Sequence, residues 1–157
     1  MGQQQLLLVI LVTIIVGIAT VVAINIFGTA SEQANRDAVR QDLLAAAANA
    51  QGIYARPAMM GGAGGDFGTL ETPELLRRLN IPGALGTAAD NTSQVVNENG
   101  TYTATGSGDL ITITGNPSSN PNDPLVLEVE NVSGAWEFRW NDGTGGSSDD
   151  SGGDGTS

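Results

Sequence analysis

LLLVILVTIIVGIATVVAINIF, residues 6–27, contains no charged residue, and sixteen of its 22 positions are Leu, Ile, Val or Phe. The others are Thr13, Gly17, Ala19, Thr20, Ala23 and Asn25. As a helix rising 1.5 Å per residue, the run spans roughly 33 Å, enough for a hydrocarbon core. At roughly −0.4 kcal/mol for each large apolar residue, transfer out of water is favoured by several kcal/mol. The stretch therefore belongs in a bilayer or in an equally dry protein environment.

The residues C-terminal to the run decide how it is used. From Ala34 the apolar residues fall at Ala38, Val39, Leu43, Ala46, Ala47, Ala50, Ile53 and Tyr54, a stripe at helical spacing. Arg36, Asp37, Arg40 and Asp42 are placed mainly on the other faces, with Glu32 and Asp37 offsetting the two arginines. Gly28 is the only weak point before Arg56-Pro57, where proline disfavours helix in the residue before it. The pattern predicts one rod from Gln3 to Ala55, about 80 Å long. Its first half is apolar all round and its second half is striped. The Ala45–Ala48 run lets a partner backbone approach closely.

With about 30 of 157 residues in the apolar segment, one modest soluble domain remains. Net charge is −11, from 17 acids against six arginines, with no Lys, Cys or His. Disulfides, thiolate and imidazole chemistry, Cys/His metal sites and Schiff bases are excluded. No constellation of carboxylates, hydroxyls and arginines suits catalysis, so no enzyme and no cofactor is expected. The acidic body is expected to repel nucleic acid. Asp123, Asp149, Asp150 and Asp154 are the carboxylates open to Ca²⁺, but they match no EF-hand or repeated Ca²⁺ motif.

Gly61-Gly62-Ala63-Gly64-Gly65 reads as a flexible loop, without the Lys-Ser/Thr ending or preceding strand of a phosphate loop. Thr72-Pro73-Glu74 opens a short helix with Thr72 as cap, burying Leu75, Leu76 and Leu79 and stopping at Ile81-Pro82. Beyond Ser93 the period becomes two. Segments 94–98 and 101–105 flank Asn99-Gly100, a two-residue hairpin signal, and strands are expected at 110–114, 125–130 and 135–140. Trp136, Phe138 and Trp140 share one face of the last strand and are expected in the core. The fold class is α+β: a long helix on an antiparallel sheet of four or five strands. The expected organisation is 1–28 apolar half-helix, 29–56 amphipathic half-helix, 57–92 loop and short helix, 93–142 β-meander, and 143–157 acidic Gly/Ser tail. Asn91, Asn99 and Asn131 head Asn-x-Ser/Thr sequons in expected turns and are candidate glycosylation sites.

Orientation is open on residues alone. Arg36 and Arg40 lie after the run and no basic residue precedes it, which by the positive-inside rule places the domain in the cytoplasm. A basic leader removed by processing would instead place the domain outside, and this is the favoured expectation. A cleaved secretory signal fits poorly, because the run is too long and lacks a small-x-small site.

An apolar N-terminus running into an amphipathic helix, then a Gly-rich loop and an antiparallel sheet, resembles the type IV pilin family. The resemblance covers the chain in architecture and residues 1 to about 54 in sequence character. It implies a prepilin peptidase that removes a basic leader, leaving Met1 first and Gln5 where the family has Glu, with a methylated N-terminus. Cleavage after Gly2 is the alternative and would place Leu7 fifth. Gln5 offers a neutral hydrogen bond in place of the family's ion pair, and the family's C-terminal disulfide loop is absent. The resemblance further implies a major subunit of a helical surface filament for adhesion, attachment or motility. The subunit waits in the membrane, then polymerises with copies of itself through an assembly ATPase and membrane platform. The filament-core residues are then Leu6, Leu7, Val9, Ile10, Ile14, Gly17, Ile18, Val21, Ile24 and Phe27. A minor pilin or secretion-system pseudopilin, and a monomeric single-pass protein with an extracellular binding domain, are the alternatives.

Overall fold

A computed structural model describes residues 2–141. Met1 and the tail acids Asp149, Asp150 and Asp154 lie outside the described residues. A single helix, α1 (Gly2–Ala55), runs through Gly17 and Gly28 without interruption. Two 3₁₀ turns, Ala58–Met60 and Phe67–Thr69, and a short helix, α2 (Thr72–Leu79), lead into the sheet. The strands are β1 (Ala84–Thr87), β2 (Ser93–Val96), β3 (Gly100–Ser107), β4 (Leu110–Pro117), β5 (Leu125–Val132) and β6 (Ala135–Asn141). They pair in sequence order, all antiparallel, as a six-stranded meander. The chain is therefore α+β, with a pilin-like arrangement of a long N-terminal helix packed on an antiparallel sheet.

The extra strand relative to expectation is β1. It is four residues long and exposed throughout, so no alternation marks it; it forms because Ala84 to Thr87 pair with Val96 to Ser93. The β2–β3 connection is also longer than the Asn-Gly signal implied. Val96 pairs with Thr101, leaving Asn97 to Asn99 as the loop, with Gly100 already paired to β4. The Asn97 side chain organises it by accepting from the backbone N–H groups of Asn99 and Gly100 at 2.9 and 3.0 Å. Gly100 is needed for closeness, since a Cβ there would lie 2.1 Å from the Asn116 carbonyl oxygen. On α2 the cap position is Glu71, not Thr72, and Asn80 ends the helix at φ 53°.

The core forms where the two periodicities meet. Val39, Leu43, Ala46, Ala47, Ala50 and Ile53 of α1 are buried. They meet inward residues of the sheet, among them Tyr102, Ala104, Ile111, Ile113, Leu125, Leu127 and Val129, while α2 adds Leu75, Leu76 and Leu79. Small residues in the sheet admit large neighbours. A Cβ on Gly115 would lie 2.6 Å from Val39 Cγ1, and one on Gly106 would lie 2.7 Å from Phe67. The helix and the Phe67 turn therefore sit directly on bare backbone.

The Gly-rich loop is built rather than slack. Ala63, Gly64 and Gly65 donate their N–H groups to the carbonyls of Ile53, Arg56 and Tyr54 at 2.8, 2.9 and 3.0 Å. Those carbonyls lie in the last turn of α1 and, for Arg56, just past it, where intrahelical donors run out. Gly61, Gly64 and Gly65 take positive φ to fold the chain back.

The expectation for β6 needs correction. Trp136, Phe138 and Trp140 do lie on the sheet's inward face, opposite Asn131, Val129 and Leu127 of β5. Only Trp136 packs against the core; Phe138 and Trp140 remain 44% and 40% exposed. The reason is coverage: α1 crosses β4 and β5 and meets β6 at Trp136 through Tyr54, and α2 covers β2 and β3, so Phe138 and Trp140 lie beyond the helix-covered part of that face.

Candidate functional site

Among the described residues, the apolar half of α1 packs against no other element. Every large residue from Leu6 to Phe27 is between 48% and 75% exposed, on all faces. Polar groups within the run are largely silenced. Thr13 and Thr20 donate to the carbonyls of Ile10 and Val16, both at 2.8 Å, leaving Asn25 as the only side-chain amide in the run. Leu6, Leu7, Val9, Ile10, Ile14, Ile18, Val21, Ile24 and Phe27 all point into open space, and a Cβ at Gly17 would meet nothing. The helix is long and apolar enough to cross a membrane. A continuous apolar surface of this extent marks contact with lipid or protein.

Where α1 reaches the sheet, a polar clamp holds it, one that residue spacing does not reveal. Asp42 Oδ2 accepts from Tyr102 Oη at 2.6 Å, Asn99 Nδ2 at 2.9 Å and Asn97 Nδ2 at 3.1 Å. One turn or two earlier, Asn35 Nδ2 donates to the Asn99 carbonyl at 2.9 Å, and Asn35 Oδ1 accepts from Ser119 N and Oγ. Arg36 pairs with Asp123 in the β4–β5 loop, and Glu32 accepts from Asn120 at 3.2 Å. Arg36 and Asp42 thus face the domain rather than solvent, and the helix leaves the sheet in a fixed direction. Asp37 pairs with Arg40 at 3.6 Å, as an i,i+3 neighbour.

The clamp also sets the state of Tyr102. Burial pushes its phenol well above the ordinary tyrosine range, and the hydrogen bond to Asp42 adds to the shift. At the far end of α1, Tyr54 donates to Asp109, which raises its phenol in the same direction.

The three sequons are not equivalent. Asn91 is exposed, at φ 68°. The Asn99 amide is committed to Asp42, and its loop is locked against Asn35. Asn131 is half-buried near the end of β5, where its Oδ1 accepts from Gly134 N of the following turn at 2.9 Å. Asp123 is held by Arg36, and among the described residues no group of three or more acids is placed to share a metal ion. Gln5 is exposed on the free end of α1.

Comparison with family models, curated proteins and solved structures finds no match to this chain. What bears on function is the chain's own geometry: an unpartnered apolar arm, and a sheet domain that grips the arm at one end.

Proposed function

We propose that this chain is the structural subunit of a type IV pilus-like extracellular filament, polymerising through the apolar half of α1. The observation that carries the reading is that Leu6–Phe27 is exposed on every face while α1 continues unbroken into the clamped half. A membrane anchor needs only the span. A rigid arm about 40 Å long, fixed in direction by Asp42, Asn35 and Arg36, is what a repeated contact along a screw axis requires. An all-round apolar surface has no polar side to reject either lipid or a protein core.

Between helices already in lipid there is little hydrophobic gain on association. Extraction into a filament therefore calls for external work, which agrees with the assembly ATPase and platform that the family resemblance implies. A basic leader on the precursor, retained on the cytoplasmic side and then cut off before Met1 or after Gly2, would place the sheet domain outside the cell. The mass of the mature chain distinguishes the two cuts.

Shearing cells and pelleting the released fraction tests the reading. A major subunit dominates that pellet; a minor pilin or pseudopilin is a trace component or stays with the envelope. Recovery only from detergent-extracted membranes, as a monomer, contradicts it.

A further inference from the structure

At the end of α1 farthest from the apolar arm lies an open cleft of about 680 Å³. Its working surfaces are Gln51 and Tyr54 on α1, Gly64 and Gly65 in the capping loop, and Asn131 and Trp136 on the β5–β6 hairpin. We propose that this cleft binds a neutral saccharide, one sugar ring lying against Trp136 with its hydroxyls taken by the amides of Gln51 and Asn131.

The chemistry of the lining selects this ligand class. None of its nine residues is charged, so it offers neither a cation for a phosphate or carboxylate nor a carboxylate for a metal ion. The net charge of the whole chain, −11, further disfavours anions. The walls are not purely apolar either. The Gln51 side chain and Asn131 Nδ2 make no hydrogen bond to any described residue, although Asn131 Oδ1 is fixed by Gly134. Two amides with free donors beside an indole suit a ligand with an apolar C–H face and a rim of hydroxyls. The electron-rich ring face attracts those C–H groups.

The platform is held in place before any ligand arrives. Trp136 meets Tyr54 edge-on, at 5.3 Å between ring centres and 84° between planes, and Phe67 supports both rings. Tyr54 is in turn tethered to Asp109. The volume falls in the usual range for small-ligand sites. Along the same face of β6, exposed Phe138 continues the aromatic row for a longer chain. The cleft lies 27 residues, or about 40 Å, beyond Phe27, clear of whatever buries the arm. The site is independent of polymerisation and stands or falls separately from the filament reading.

The test uses the full chain in a zwitterionic detergent, carrying Trp140→Phe so that fluorescence reports Trp136. Cellohexaose, maltohexaose and mannohexaose are titrated separately, with calorimetry in parallel. At least one is expected to give a saturable signal. Gln51→Ala and Asn131→Ala, both half-buried at the cleft wall, are expected to weaken it several-fold with the near-ultraviolet dichroism unchanged. Trp136→Ala, followed by calorimetry, is expected to weaken it by at least about tenfold. Three inert saccharides, or wild-type affinity in both amide variants, overturn the proposal. If the sugars are inert and the amide variants alter sedimentation of the chain, the cleft is a contact between copies, and the proposal is equally overturned.

Discussion

Tyr102 donates its hydroxyl to Asp42 at 2.6 Å, joining the third strand to a helix position 60 residues earlier. The bond closes a clamp whose other two donors, Asn97 and Asn99, come from one loop. Because Tyr102 is itself fully buried in the core, the polar and apolar parts of the helix–sheet interface are tied through one side chain.

Tyr102→Phe keeps the ring and removes the donor. A hydrogen bond to a charged acceptor is worth about 1.5–3 kcal/mol, so the thermal unfolding midpoint of the sheet domain, read by tryptophan fluorescence, should fall by several degrees. An unchanged midpoint would mean that Asn97 and Asn99 satisfy Asp42 alone.

The two tyrosines give a pH signature. Both phenols are held above their ordinary value, Tyr102 chiefly by burial and Tyr54 chiefly by Asp109. The folded chain therefore keeps protons that the unfolded chain releases. That contribution to stability is complete below the ordinary tyrosine pKa of about 10 and is lost as pH rises through the folded values. Phenolate absorbance of the native chain should rise at higher pH than in urea. Coincident curves would refute the assignment.

Gly115→Ala places a methyl 2.6 Å from Val39 Cγ1 and 3.3 Å from the Tyr102 ring. Overpacking of this kind costs about 1–3 kcal/mol. Val39→Ala should be destabilising alone, yet combined with Gly115→Ala it should recover part of the loss, because the two residues compete for one space. Strict additivity in urea unfolding would show that the helix shifts away instead.

The long helix, α2 and the strands from β2 onward are legible in the sequence, because each rests on local periodicity or on a proline. The Asp42 clamp is not legible, since its partners lie 55 to 60 residues away and Asp42 reads as one more solvent-facing acid. Strand β1 escapes a sequence reading because edge pairing with β2, not its own pattern, creates it. The aromatic row on β6 has the expected face and a different environment. Residue alternation fixes which side of a sheet a side chain takes, but not where the covering helix stops. The Gly-rich loop misleads for the converse reason: its composition signals freedom, while its N–H groups are spent on the end of α1.

The central claim is that Leu6–Phe27 is where copies of the chain meet. A photo-reactive side chain at each of Ile18, Ala19, Thr20 and Val21 samples every face of one helical turn. After illumination of material sheared from cells, the account predicts adducts at multiples of the 16.0 kDa chain mass. Adducts only to lipid, with the protein monomeric from all four positions, would contradict it.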